Sequence, residues 1–232
     1  MKSIAVIGLG QFGSQIAVGL SQKGFEVIGI DSVANCVNDI KDKVSQAIIL
    51  DATDEQAMRS VNIDNIDIAV IAIGTNVQAS LLAAALLQKF SIKDIYVRAI
   101  ESLQQSILHS MGIKNIIDIE SEMGKQLSYT ISSGKVGRYI EISNRHSLTE
   151  IKVPQNFIGK TLRELKLRSR FSINIVGIKT RIPVVQDDGN IEFEEDMTEV
   201  PDPNYALNKE DVLVVVATDE NMQRFLVRGE PV

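Results

Sequence analysis

Gly8-Leu9-Gly10-Gln11-Phe12-Gly13 places three glycines as GxGxxG, directly after an apolar run and directly before a helix-like one. In that context each glycine has a task. Gly8 permits a tight turn, Gly10 lets a phosphate approach the main chain, and Gly13 lets helix and strand pack closely, while free N–H groups at the helix start bind the anion. Asp31 ends the next apolar run, close to the spacing of about 20 residues expected for a carboxylate that bonds ribose hydroxyls. A phosphate on that ribose would be repelled, which disfavours NADP. Asp51-Ala52-Thr53 closes a third run and is read either as a border for adenine or, at Asp51, as a helix cap. Gly74-Thr75-Asn76 follows a fourth run at the same edge and faces the loop; there too Asn76 is read either as a wall of the site or as a cap.

These residues fix a nucleotide in place without defining a reaction. A dehydrogenase needs an acid or base beside the nicotinamide, yet the chain has two histidines. His109 falls in a helix beside Leu108 and Met111, and His146 in a turn after Asn144-Arg145; neither ends a strand. No Ser–His–Asp spacing, HExxH, CxxC or Walker A sequence occurs, so nucleophilic, zinc and P-loop chemistry lack support. The expectation is a nucleotide-binding protein that is not an enzyme.

The elements that must carry these residues alternate. Strand-like runs at 4–9, 27–30, 47–50, 68–73, 95–97 and 116–117 are apolar throughout, the mark of strands buried on both faces of a parallel sheet. Helix-like runs fall between them at 11–22, 33–43, 54–60, 76–89 and 102–110. In the run 76–89, Val77, Leu81, Ala84 or Ala85, and Leu87 or Gln88 recur on neighbouring turns. Gly24 and Gly112 stand where helices should stop. The spacing predicts an α/β fold with a Rossmann-like doubly wound sheet over residues 1–134. A further helix from 120 to about 133 and a hinge at Ser132-Ser133-Gly134-Lys135 lead into a smaller α+β domain over 135–232. Its order reads strand 139–142, strand 149–153, helix 161–167, strand 174–179, acidic loop, strand 212–216 and helix 220–225.

Composition bounds the class. With 44% hydrophobic and 23% charged residues over 232 positions, the chain can bury a real core. The stretch 186–203 holds Asp187, Asp188, Glu192, Glu194, Glu195, Asp196, Glu199 and Asp202 and no Lys or Arg. Setting those eight aside from 30 acids and 24 bases leaves a remainder of formally +2, so no basic field points to nucleic acid. The acidic stretch is read as a solvated hairpin rather than a calcium loop, since its spacing is not an EF-hand's. Cys36, the single cysteine, is expected as a small buried apolar residue in a helix. The chain runs into a strand at once, leaving no room for a signal peptide, and no apolar run approaches the roughly 18 residues of a membrane span.

At this point the sequence resembles the RCK (regulator of K⁺ conductance) proteins of Trk and Ktr potassium uptake systems, the KTN or TrkA-type subunits. The likeness rests on Ile7-Gly8-Leu9-Gly10-Gln11-Phe12-Gly13, Val27-Ile28-Gly29-Ile30-Asp31, Asp51-Ala52-Thr53-Asp54, Tyr96-Val97-Arg98-Ala99 and Ile119-Glu120-Ser121-Glu122-Met123-Gly124. Its most discriminating segment is Ala72-Ile73-Gly74-Thr75-Asn76-Val77-Gln78-Ala79-Ser80. The second half similarly looks like a TrkA-C domain. The resemblance implies a cytoplasmic subunit without catalysis, peripheral at the inner membrane face through a K⁺-translocating partner, that forms homodimers and an octameric ring. It implies ATP, ADP or NAD(H) at the glycine loop. Gly8, Gly10 and Gly13, with Gln11 and Phe12, would hold phosphate and Asp31 the ribose. Asp51, Ala52 and Thr53 would border adenine, and Gly74, Thr75 and Asn76 would form the facing wall.

Arg98 matches a basic position in that family, and an exposed strand-end arginine is the plain alternative. Glu120 matches an acidic position that helps bind a divalent cation, Mg²⁺ or Ca²⁺, in Ktr-like members; a first-turn acid favoured by the helix dipole is the other reading. Where ATP-responsive members carry arginine, this chain has Gln11, which loses a charge-assisted phosphate bond and makes ADP or NAD(H) more credible. Arg168, Asn174 and Ile175 match the spacing with which some relatives bind cyclic di-AMP, although Lys166 stands where an acid is usual. Arg163, Arg168 and Arg170 otherwise read as a solvated face. Two rivals remain open: an NAD-dependent oxidoreductase, and a free-standing nucleotide or cyclic di-AMP sensor.

Overall fold

The computed structural model describes residues 2–133, 136–185 and 191–227. They form two compact units, Met1–Ser121 and Glu122–Val232. The first unit runs β1 (Ser3–Ile7), α1 (Gln11–Gln22), β2 (Glu26–Asp31), α2 (Ala34–Ile40), β3 (Gln46–Ile49), α3 (Glu55–Ser60), β4 (Ile68–Ile71), α4 (Val77–Lys89), β5 (Asp94–Arg98), α5 (Ser102–Ser110) and β6 (Asn115–Ile117). Next come α6 (Ile119–Ser133), β7 (Val136–Ser143), β8 (His146–Lys152), α7 (Leu162–Leu165), α8 (Leu167–Phe171), β9 (Asn174–Val185), β10 (Ile191–Thr198), β11 (Val212–Thr218) and α9 (Asp219–Val227).

All six strands of the first sheet are parallel, in the order β3-β2-β1-β4-β5-β6. Unbroken apolar strands are the cause. In β1, Ala5 and Ile7 join one core while Ile4 and Val6 join the core on the opposite face. The first core takes Met58 from α3, Ala83, Ala84 and Leu87 from α4, and Leu108 from α5. The second takes Ala17 from α1 and Val37 and Ile40 from α2. Helices therefore cover both faces, and the order reverses between β1 and β4, the switch point at which such sheets leave a crevice.

Gly24 and Gly112 adopt positive φ, 84° and 82°, and stop their helices as the sequence predicts. The buried face of α4 is Ser80, Ala83, Ala84 and Leu87, so the predicted row holds at Ala84 and Leu87, while Leu81 packs half-buried against the same core.

The second unit holds an antiparallel sheet in the order β10-β9-β11-β8-β7. Strand β8 buries alternate residues, as expected of a sheet with one covered face. Phe157, Leu165, Leu167, Leu213, Val215, Met222 and Phe225 contribute to its core.

Part of the acidic stretch is strand, in keeping with the hairpin reading: β10 pairs antiparallel with β9 from Ile191 to Thr198, and Glu195 joins Glu150 around Lys179. An edge strand tolerates such charge because one side faces water. Asp187 and Asp188 lie outside the described residues. The helix predicted at 161–167 is two pieces broken at Lys166, which takes φ 47°, and α7 opens on a capping box of Thr161 and Glu164. The two units divide inside α6, ahead of the predicted 134/135 break, because Tyr129 stacks on Tyr139 with ring centroids 4.2 Å apart and packs on the second core. Gly134 and Lys135 of the expected hinge lie outside the described residues.

Candidate functional site

Strand β1 ends at Ile7, and the chain turns at Gly8 with φ 89°. A Cβ there would stand 2.9 Å from Ile73 N. At Gly13 a Cβ would lie 1.8 Å from the Gly8 carbonyl oxygen, a contact no side chain survives. Gly10 differs: nothing lies within 4 Å of its Cβ position, and its φ of −61° suits any residue. Two of the three glycines are thus demanded by the protein itself, and the third faces open space.

Helix α1 starts behind Gly10 with no side-chain cap, although the Gly10 carbonyl accepts the first helical bond from Ser14 N at 2.9 Å. A first turn left this way has N–H groups without intrahelical partners and the positive end of the helix dipole. It opens on a cavity of about 780 Å³ at the carboxyl edge of the sheet, the size of a site for a sizeable organic ligand. Gly8, Gly10, Gln11, Phe12, Asp31, Asp51, Ala52, Thr53, Gly74, Thr75, Asn76 and Arg98 all line it. The fold brings these predicted positions together, and Gly13 sits buried beneath the loop, where its packing role requires it.

Asp31 has a task that spacing did not reveal. Its Oδ2 accepts from Leu9 N at 2.6 Å and its Oδ1 from Val33 N at 2.8 Å, so the carboxylate ties the glycine loop to the end of β2. A carboxylate has about four acceptor positions, which leaves room for sugar hydroxyls. Asp51 is not the cap of α3. That cap is Asp54, whose Oδ1 accepts from Gln56 N and Ala57 N. Asp51 instead accepts from Thr53 N at 2.9 Å and Thr53 Oγ1 at 2.8 Å, and the Thr53 backbone N–H holds its carboxyl below the usual range. Asn76 does cap α4, accepting from Ala79 N at 2.9 Å, while also lining the cavity.

Arg98 ends β5, and its Nη2 donates to Glu120 Oε1. That guanidinium beside it holds the Glu120 carboxyl below its ordinary range. Arg98 Cζ lies 5.7 Å from the Phe12 ring centroid, and a Cβ on Gly74 would stand 2.6 Å from Arg98 Nη1. Buried Gln104 organises the region from behind: its amide donates to Arg98 O and Ser80 Oγ, and its Oε1 accepts from Ile100 N. Sequence reasoning missed Gln104, although a polar residue four positions before buried Leu108 was a signal. The expectation for Cys36 also needs correction: it is half-buried and lines the cavity, beside Ser32 and Val33, which sequence reasoning did not single out.

Among the described residues, no histidine lines the cavity, and no group of three or more His, Cys, Asp or Glu side chains gathers to hold a metal. His109 is exposed in the last turn of α5, and His146 begins β8. In the second unit, Arg168, Asn174 and Ile175 share one open depression of about 690 Å³ with Arg163 and Lys166. None of the described helices is long and apolar enough to cross a membrane.

The order of the first sheet, its uncapped glycine loop and the antiparallel second unit define a Rossmann-type domain joined to a smaller α+β partner. Residues 4–119 match the TrkA-N domain and residues 148–227 the TrkA-C domain. The chain is 34% identical over 224 residues to Ktr system potassium uptake protein C of Bacillus subtilis (strain 168), covering 97% of this chain and 96% of that one. It is 30% identical to protein A of the same system and organism, over 98% and 97% of the two chains. The chain therefore belongs to the TrkA-N/TrkA-C family of the Ktr potassium uptake proteins. Its fold also matches the crystal structure of the GsuK RCK domain, with TM-score 0.63 and 13% identity, over 97% of this chain and 47% of that chain. The GsuK channel matches with TM-score 0.65 and 12% identity, over 97% and 39%.

Proposed function

We propose that this chain is the nucleotide-binding regulatory subunit of a potassium uptake system and performs no catalysis. The observation that carries the reading is the uncapped start of α1, whose first turn opens into a cavity bordered by Asp31, Asp51 and Arg98. An anionic diphosphate satisfies those amides, and Asp31, already fastened to the loop, takes the ribose. The relatives named for Ktr potassium uptake supply the physiological setting.

The subunit works in the cytoplasm beneath a membrane K⁺-translocating partner, as homodimers assembled into an octameric ring. ATP, ADP or NAD(H) occupies the glycine-loop site, and with Gln11 in place of a cationic residue ADP and NAD(H) are favoured. The ligand regulates only through unequal affinity for two shapes of the ring. Glu120 contributes one carboxylate toward Mg²⁺ or Ca²⁺, further ligands coming from the nucleotide and a second copy. The Arg168–Asn174–Ile175 depression is suited by its charge to the phosphodiesters of cyclic di-AMP.

Calorimetry of the purified protein against ATP, ADP, NAD⁺, NADH and cyclic di-AMP tests the reading, together with sizing and co-purification with a K⁺-translocating membrane protein. Nucleotide binding by a large particle without turnover supports it. Turnover of an NAD-linked substrate would replace it with an oxidoreductase, and binding with no membrane partner would replace it with a free sensor.

A further inference from the structure

Arg98 is shared between two claims. Its Nη2 is engaged by Glu120, its Nε is buried without a partner, and its guanidinium stands over Phe12 in the first turn of α1. A phosphate is best held by two parallel N–H donors of one guanidinium fork. A ligand phosphate on that turn therefore meets an arginine whose outer donor is already taken by an internal anion. Glu120 is the second residue of α6, the helix that leaves the first unit and continues into the second.

We propose that Glu120 is an internal competitor for Arg98: it holds the guanidinium in the nucleotide-free protein and yields it to the ligand's phosphate. Phosphate binding and the Glu120 contact then exclude each other, and the start of α6, still held through Asp118, loses its link to Arg98 when the nucleotide arrives. This rests on the reading that a nucleotide occupies the glycine loop. It adds that a residue outside the cavity lining sets phosphate affinity.

Calorimetry with ADP and with adenosine, in EDTA and at low ionic strength, compares the wild type with Glu120→Gln and Glu120→Asp. Removing the competitor should tighten ADP about three- to fivefold, the range an exposed ion pair allows, and leave adenosine unchanged. Glu120→Asp keeps the charge but loses the reach to Arg98, so it should tighten ADP nearly as much. If only the Gln variant tightens ADP, plain charge repulsion is at work and the competition is overturned. Unchanged or weaker ADP binding in Glu120→Gln overturns it as well. In the Arg98→Gln background the effect of Glu120→Gln should vanish, and its persistence would refute the proposal. A wild type that binds neither probe would instead remove the nucleotide site itself.

Discussion

Gly10→Asp separates what the fold needs at the glycine loop from what its ligand needs. The backbone at Gly10 already has the extended geometry of a helix cap, φ −61° and ψ −172°, and the Cβ position is open. An aspartate there can accept from the same first-turn N–H groups that a phosphate would use. Three effects stabilise the ligand-free protein: a side-chain cap in place of glycine, a few tenths of a kcal/mol; a negative charge at the helix start, about 0.3–1 kcal/mol; and a less flexible unfolded chain, about 0.4–1 kcal/mol. Together they amount to about 1–2 kcal/mol, or about 3–10 °C in the melting of a unit this size.

Nucleotide at a hundred times its Kd would stabilise the wild type by about 2.7 kcal/mol. In Gly10→Asp that ligand-induced rise should disappear, since the carboxylate occupies the amides and repels the diphosphate. The assay is thermal unfolding of both proteins with and without ADP. A mutant that melts higher alone and gains nothing from ADP is the expected result. An undiminished ADP-induced shift in the mutant would refute the placement of the anion on α1.

Gly13→Ala should cost about 3 kcal/mol or more of stability, read as a lower urea midpoint, or prevent folding, because its Cβ meets the Gly8 carbonyl at 1.8 Å. Gly19→Ala, in the same helix with open space around it, should instead stabilise slightly, and equal effects at the two positions would count against the packing argument. Gln11→Arg should strengthen ATP binding more than ADP binding in calorimetry, and equal gains would exclude contact with a terminal phosphate. Burial pushes the Tyr129 hydroxyl up to about 12 from 10.0, so the fold favours its neutral form. That contribution is complete below pH 10 and is lost as pH rises toward 12. Tyr129→Phe should flatten the alkaline decline in melting temperature, and an identical slope in both proteins would show that Tyr129 takes no part.

Much of this molecule was legible in its linear order. Apolar strands without alternation specify a sheet covered on both faces, and the glycines at 8 and 13 specify a turn with a helix behind it, because both are consequences of sterics and of which residues avoid water. The cavity lining followed, since every strand of a parallel sheet ends at the same edge. What partner each polar atom takes was decided by tertiary structure alone. Spacing could not tell that Asp31 would hold the Leu9 amide or that Arg98 would pair with Glu120. Such bonds join residues up to 22 positions apart and depend on distances of a few tenths of an ångström. The side to which α6 adheres was hidden for the same reason: Tyr129 finds Tyr139 only once both strand and helix exist to bring their rings together.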